Sequence, residues 1–161
     1  MKVGLVSDSH DNLPKLRAAM ERFRAEGVEH IIHAGDFIAP FTAAPFVELG
    51  VPVTGVFGNN DGERRGLAAR FAPVGELHFP TAKLELGGKR FVVMHEPDLA
   101  EAAARSGLYE VVVCGHTHVL EVRTAGALII NPGECGGWVT GRSTVVVLET
   151  ETLEARVVDL D

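Results

Sequence analysis

The sequence predicts a mixed α/β fold in which helices lie outside mixed β-sheets. The first two-thirds of the chain alternates short apolar, β-like runs with helical patterns, and the last third consists almost entirely of hairpins. Strands that alternate with helices tend to pair in parallel, whereas consecutive hairpins add antiparallel pairs. A purely parallel, doubly wound sheet is therefore disfavoured. The 161 residues fit one domain over 1–161.

Three strand–helix units are predicted in the first part of the chain. The run "KVGLVS" is typical of a buried strand, and the next segment has apolar residues at helical spacing, with Asn12 as its N-cap, Pro14 in the first turn and Gly27 as its stop signal. The later units are predicted from the strands "EHIIHAG" and "VPVTGVFG" and from the helical stretches "APFTAAPFVELG" and "ERRGLAARF".

Hairpins dominate the prediction from residue 82 onwards. The segment "AKLELGGKRFVVMH" predicts two strands joined by a Gly-Gly turn. A helix capped by Asp98, "DLAEAAARSG", and a strand, "YEVVVCG", come next. Two further hairpins are predicted over "VLEVRTAGALIINPG" and "STVVVLETETLEARVVDL".

Composition excludes several classes of function. The formal charge of −7 opposes non-specific binding to nucleic acid or to anionic membranes, because both require a basic excess. No apolar stretch approaches the roughly 18 residues of a membrane helix, and the first apolar run is too short for a secretory signal. Two cysteines do not suggest a disulfide framework. We therefore expect a cytoplasmic protein.

Five apolar runs end in residues that bind metal ions. Ligands collect beyond the carboxyl ends of strands in α/β sheets, so these residues would meet at one rim if the strands are neighbours. The residues, in chain order, are Asp8 and His10; Asp36; Asn59, Asn60 and Asp61; His95; and His116 and His118.

The types of these residues indicate a centre with two divalent ions. Imidazoles and hard oxygen ligands suit Mn, Fe, Zn, Co or Ni, and we expect Mn first. More than four candidate ligands exceed one tetrahedral centre, so two ions that share a bridging carboxylate are expected. Two ions about 3.5–4 Å apart can hold a phosphoryl group and make a hydroxide nucleophile from a bridging water.

The ordered set of motifs resembles the calcineurin-like metallophosphoesterase superfamily. It extends from Asp8 to about Gly133, and the small size of the chain resembles the YfcE-like phosphodiesterase branch, to which the retromer subunit Vps29 is related. The resemblance implies a four-layer α/β/β/α sandwich of two mixed β-sheets. The motifs that carry it are Asp8-x-His10, Gly35-Asp36, Gly58-Asn59-Asn60-Asp61, His95 and Gly115-His116-Thr117-His118.

The resemblance also assigns a role to each residue. Asp36 would bridge the two ions, and Asp61 would orient a ligand or its loop. One ion would be held by Asp8, His10, Asp36 and His118, and the other by Asp36, Asn59, His95 and His116. We expect the reacting site to include Asp36, Asn60 and Asp61.

Departures from the family pattern bear on the substrate. Many relatives have a histidine, which acts on the leaving oxygen, where this chain has Asn60. Members of the YfcE-like branch also lack it and tend to favour phosphodiesters, so we expect a small phosphodiester substrate. Glu96 and Glu134 replace residues that are often Gly and Ser in relatives, and both would repel an anionic substrate if they faced the site.

Two other functions remain open at this point. One is a phosphomonoesterase that acts on a small phosphorylated metabolite. The other is a Vps29-like interaction module without catalysis, a branch in which ligand positions are often lost. Relatives often form dimers or tetramers, so a homo-oligomer is also expected. Arg64 and Arg65 could meet a phosphate, although exposed arginines on a short helix are usually solvated.

Overall fold

The computed structural model describes residues 1–161, and its architecture is an α/β/β/α sandwich. Its eleven strands are Lys2–Val6 (β1), His30–His33 (β2), Val53–Val56 (β3), Gly75–His78 (β4), Thr81–Leu86 (β5), Lys89–Met94 (β6), Val111–Val113 (β7), Glu121–Ala125 (β8), Ala127–Asn131 (β9), Thr144–Glu149 (β10) and Glu154–Asp159 (β11). Its α-helices are Leu13–Glu26 (α1), Ala44–Leu49 (α2), Arg64–Phe71 (α3) and Ala100–Arg105 (α4).

Both sheets mix parallel and antiparallel pairs. The six-stranded sheet has the order β11-β10-β1-β2-β3-β4, in which β1 to β4 are parallel and the two hairpin strands β10 and β11 are antiparallel. The five-stranded sheet has the order β5-β6-β7-β9-β8, in which only the edge strands β5 and β8 pair antiparallel. The expectation of mixed sheets is therefore confirmed.

Three separate apolar clusters show that the sandwich has four layers. Phe23, Phe46 and Phe71 belong to the cluster between the helices α1 to α3 and the six-stranded sheet. A second cluster fills the space between the two sheets, and a third joins the five-stranded sheet to α4. Each sheet is thus buried on both faces, which explains why β1, β7 and β10 are continuous apolar runs rather than alternating ones.

The longest helix follows its sequence signals closely. The Asn12 side chain accepts a hydrogen bond from the Lys15 backbone N–H at 3.3 Å, as an N-cap does. Gly27 ends the helix with φ 69°. That left-handed conformation is easily adopted only by glycine, so the chain can turn sharply into β2. No helix in the structure has both the length and the apolar character needed to cross a bilayer.

One local expectation is wrong, and one strand was not predicted. Asp98 does not cap α4, because a 3-10 turn over Pro97–Leu99 precedes this helix and its N-cap position is Leu99, without a side-chain hydrogen bond. Pro97 fixes its own φ and starts this turn, which moves the α-helix downstream. Strand β4 was not expected, because its four residues carry no alternating apolar pattern; it forms by pairing with β3.

Candidate metal centre

The five chain segments expected to bind metal meet at one end of the sandwich. Those after β1, β2 and β3 come from the six-stranded sheet, and those after β6 and β7 come from the five-stranded sheet. The expected convergence therefore involves the carboxyl ends of strands in both sheets.

One group of side chains lies around Asp8. Its Oδ1 atom is 3.5 Å from His118 Nε2 and 3.9 Å from His10 Nε2. Asp8 is fully buried, and both imidazoles are partly buried. Asp8, His10 and His118 thus offer three ligand atoms to the same small volume, all within 4.8 Å of one another.

A second group lies around Asn59. Its Oδ1 atom is 2.8 Å from His95 Nε2 and 3.0 Å from His116 Nδ1. Asn59 and His116 are exposed, whereas His95 is buried. This half of the centre is therefore the more open to solvent.

Asp36 lies between the two groups. Its Oδ2 atom is 3.5 Å from His10 Nε2 on one side and 3.5 Å from His95 Nε2 on the other. Asp36 is buried, and burial alone would raise its pKa. The His95 ring beside it and hydrogen bonds from Asn60 outweigh that effect and lower the pKa of Asp36 below its usual range. A carboxylate in this position can serve both groups at once.

Three buried atoms of the centre have no hydrogen-bond partner: Asp8 Oδ1, His10 Nε2 and His118 Nδ1. Buried polar atoms are rarely left unpaired, so each needs an explanation. The other Asp8 oxygen is occupied, because it accepts hydrogen bonds from the Ser7 hydroxyl and from the His116 backbone N–H. Burial raises the pKa of Asp8, although the Ser7 hydrogen bond and the nearby His95 and His118 rings oppose the increase. Divalent ions between the two groups would fit these residues.

The backbone around the centre is unusually strained. Left-handed φ values occur at five candidate ligands, from 43° at His10 to 69° at His116. Non-glycine residues rarely adopt this conformation, and such strain concentrates at functional sites. The other three candidate ligands with positive φ are Asp8, Asp36 and His118.

A glycine next to a ligand allows two segments to approach each other closely. A Cβ atom at Gly58 would overlap the Asp36 carboxylate and its backbone nitrogen. The motif Gly58-Asn59 therefore requires glycine because the loop after β3 passes directly against the loop after β2.

Asp61 joins the loops that carry Asp36 and Asn59. Its carboxylate accepts hydrogen bonds from the backbone N–H groups of Gly58 at 2.7 Å, Ile38 at 2.8 Å and Asp36 at 3.0 Å. Burial raises the pKa of Asp61, although these hydrogen bonds oppose the increase. The position of Asp61 suits the orienting role expected for it.

Asn60 is exposed to solvent, yet it also contacts the central carboxylate. Its backbone N–H and its side-chain Nδ2 donate to the two oxygens of Asp36 at 2.9 Å and 2.8 Å. A neutral amide can hold Asp36 in this way, but it cannot donate a proton to a leaving group as an imidazolium would.

Outer contacts orient two of the histidines. His95 Nδ1 is 2.7 Å from the Ala34 carbonyl oxygen, so this nitrogen carries the proton and Nε2 faces Asn59 and Asp36. On the other side, Glu134 Oε1 lies 3.3 Å from His118 Nδ1, at ion-pair distance but out of line for a hydrogen bond. Such partners behind metal-binding histidines fix the orientation of the ring.

Glu134 and Glu96 have different surroundings. Glu134 is buried behind His118 and accepts hydrogen bonds from the backbone N–H groups of Val139 and Thr140 and from the Thr140 hydroxyl. It does not face a substrate, and its contact with His118 was not anticipated from the sequence. Glu96 is exposed and lines a pocket beside Asn59 and His95.

This pocket, which we call the lateral pocket, opens beside the Asn59 half of the centre. Its volume is about 600 Å³. Its lining residues come from the loop after β3, the start of α3, the link between β4 and β5, the start of β5, and the end of β6 with the loop that follows it: Phe57, Gly58, Asn59, Arg64, Phe79, Pro80, Thr81, Met94, His95, Glu96, Asp98 and Leu99. The sequence did not signal its apolar wall, because Phe79 lies outside the family motifs.

Comparisons with known proteins show the family and the fold of this chain. The family model of the calcineurin-like phosphoesterase superfamily domain matches residues 1–153. A curated phosphodiesterase of Methanocaldococcus jannaschii is 40% identical over 167 aligned positions, which cover 100% of both chains. A solved archaeal phosphodiesterase superposes with a TM-score of 0.93 at 38% identity and covers 99% of each chain.

More distant structures share the fold. A single-site variant of Vps29 from Entamoeba histolytica has a TM-score of 0.70 at 17% identity, and the phosphoesterase YfcE from E. coli has a TM-score of 0.67 at 20% identity. Each of these comparisons covers 100% of both chains. The matched family model and the 40% identical relative establish that this chain belongs to the calcineurin-like phosphoesterase superfamily.

Proposed function

We propose that this protein is a metal-dependent phosphodiesterase with a two-ion centre at the rim of the two sheets. One observation carries the proposal: Asp36 lies 3.5 Å from a histidine of each ligand group, so both groups share one carboxylate. The ions would be held by Asp8, His10, Asp36 and His118 and by Asp36, Asn59, His95 and His116. Mn is our first choice, and Ni, Fe, Zn or Co also suit these ligands.

The chain's own residues would organise the reaction around this centre. Two bound divalent ions would supply Lewis-acid charge that activates water and offsets the charge of the phosphoryl oxygens. Asp36 remains ionised at all physiological pH values because His95 and Asn60 lower its pKa despite burial. Asp61 fixes the Asn59 loop against the Asp36 loop, so the ligand groups are already assembled before substrate binds.

Two features favour a diester over a monoester. Asn60 holds Asp36 and offers no proton to a leaving oxygen, so a substrate whose leaving group needs little proton assistance is preferred. Glu96 adds negative charge to the open side of the centre, where a monoester dianion is repelled more than a diester monoanion. The relative at 40% identity is itself a phosphodiesterase.

The test is a comparison of turnover on two aryl esters. Metal-stripped protein is reloaded with Mn, Ni, Fe, Zn or Co, and kcat/KM is measured for bis(p-nitrophenyl) phosphate and for p-nitrophenyl phosphate. We expect the diester to react faster with Mn bound. A higher kcat/KM for the monoester would support the phosphomonoesterase alternative instead. Elemental analysis of the purified protein identifies the metal it carries.

The interaction-module alternative makes a different prediction. A Vps29-like module needs the fold but no turnover. The complete ligand set and its unpaired buried atoms favour an enzyme. Stoichiometric metal binding without turnover of any phosphoester would support the module.

We also propose that the protein is cytoplasmic, in keeping with the free thiols Cys114 and Cys135. The homo-oligomer is proposed from the family resemblance alone. Light scattering coupled to size-exclusion chromatography measures the oligomeric state directly.

A further inference from the structure

The lateral pocket joins the candidate metal centre directly, because Asn59 and His95 line both. A group attached to a phosphorus atom at the centre would therefore extend into it. Its volume of about 600 Å³ lies in the range of small-molecule sites. The remaining walls decide which chemical group fits.

The apolar wall of the pocket is aromatic and partly solvent-exposed. Phe79 is 65% exposed and Leu99 is 69% exposed, whereas the lining residues Phe57 and Met94 are buried. Large apolar side chains that stay exposed at a concave site are typical of ligand contacts.

Arg64 forms a flat surface against this wall. Its guanidinium carbon is 4.3 Å from the centroid of the Phe79 ring and 5.3 Å from that of Phe57. The arginine is held in place, because its Nε donates to the Asp61 carbonyl oxygen at 3.1 Å. A planar ligand group can stack on such an ordered aromatic and guanidinium surface without ordering flexible side chains first.

The charged lining residues of the pocket disfavour an anionic group. Glu96 and Asp98 are both exposed at the pocket, and Arg64 is the one cation among the lining residues. A second phosphate or a carboxylate on the substrate would meet a net negative charge there. An uncharged aromatic ring meets no such repulsion.

We propose that the lateral pocket binds an uncharged aromatic or heteroaromatic ester group of the substrate, stacked on Phe79 and Arg64. The inference rests on the proposed function, because the phosphoryl group must be held at the metal centre for its ester group to reach the pocket. The substrates we expect are therefore aryl or nucleoside-like phosphodiesters whose aromatic ester group carries no further negative charge.

The test uses two phosphonates that cannot be hydrolysed and that differ only in their organic group. Calorimetric titrations of phenylphosphonate and methylphosphonate into Mn-loaded protein give the affinity ratio of the phenyl and methyl compounds. We expect phenylphosphonate to bind about tenfold more tightly, since an aromatic contact contributes about 0.5–1.5 kcal/mol in addition to its buried area. In Phe79→Ala the ratio should fall severalfold, with the methylphosphonate affinity unchanged.

A matched control is Leu108→Ala, because Leu108 is also an exposed apolar residue, 59% exposed, but does not line the pocket. It should leave both affinities unchanged. An equal affinity for the two phosphonates in the unmodified protein would overturn the pocket proposal, and so would a phenyl preference that survives in Phe79→Ala. If neither phosphonate binds to protein that elemental analysis shows to carry Mn, the phosphoryl site of the proposed function is refuted and the pocket proposal falls with it, whereas equal affinities refute the pocket proposal alone.

The exclusion of anionic groups from the pocket is tested with a third phosphonate. Unmodified protein should bind 4-carboxyphenylphosphonate more weakly than phenylphosphonate, and Asp98→Asn should reduce that difference. An equal affinity for the two aryl phosphonates in the unmodified protein would contradict the exclusion of anionic groups.

Discussion

The contact between Glu134 and His118 leads to a prediction about metal affinity. Glu134 Oε1 is 3.3 Å from His118 Nδ1, and the other neighbours of the carboxylate are hydrogen-bond donors from Val139 and Thr140. Burial would raise the pKa of Glu134, but these hydrogen bonds and the nearby His118 ring lower it below the usual value. The group is therefore a carboxylate at neutral pH.

The substitution Glu134→Gln removes this charge and keeps the size of the side chain. The Gln amide brings two N–H donors into a site where Val139 and Thr140 already donate, so one of these contacts must be lost. Partners behind metal-binding histidines typically contribute 10–100-fold in metal affinity. We therefore expect Mn²⁺ to bind about 10–100-fold more weakly, which corresponds to about 1.4–2.8 kcal/mol.

The measurement is a calorimetric titration of metal-stripped protein with Mn²⁺. Thr140→Val is the matched control, because it removes the hydroxyl that donates to Glu134 at 2.8 Å but leaves the carboxylate beside His118. Both variants should lose folding stability, by about 1 kcal/mol for a lost hydrogen bond, and only Glu134→Gln should lose metal affinity. Equal Mn²⁺ affinities in these two variants would refute a role for the carboxylate in orienting His118.

Four further predictions test the centre and its surroundings. Asp36→Asn should lose more than about a hundredfold in turnover and most of its bound metal, since it removes the shared charge. The control is Asp11→Asn, which alters a nearby carboxylate that accepts a hydrogen bond from a backbone N–H and should keep both turnover and metal. A similar metal content in the two variants would exclude a bridging role for Asp36. Mn²⁺ at about 100 times its Kd should stabilise the fold by about 2.7 kcal/mol. In a thermal scan, Tm should rise by roughly 5–11 °C relative to a chelator-treated sample. An unchanged Tm would exclude binding to the folded state. Asn60→His should change the ratio of monoester to diester turnover, and an unchanged ratio would remove Asn60 from the chemistry. Burial raises the pKa of Cys114 and of Cys135 to about 12. Only about one thiol in 10⁴ is then ionised at pH 8, so a disulfide reagent should detect no rapidly reacting thiol until denaturant is added. Prompt labelling of the native protein would contradict this burial.

Many features of the fold could be predicted because their signals are local. Helix α1 has its cap, its apolar spacing and its stop signal within 16 residues, and the structure follows all three. The hairpin through Gly87 and Gly88 is equally local. Strand β4 and the start of α4 were missed for the opposite reason, since pairing with β3 forms the first and a short 3-10 turn displaces the second.

The sequence by itself determined the chemical inventory of the centre: oxygen and imidazole ligands placed after apolar strands, with asparagine where many relatives have a histidine. Only the tertiary structure decided where those residues meet. It brings the ends of strands from two different sheets together, turns Glu134 inward behind His118 and leaves Glu96 at a pocket walled by Phe79. The physical reason is that residue type and spacing act over a few positions, whereas the approach of loops far apart in the chain depends on how the two sheets pack.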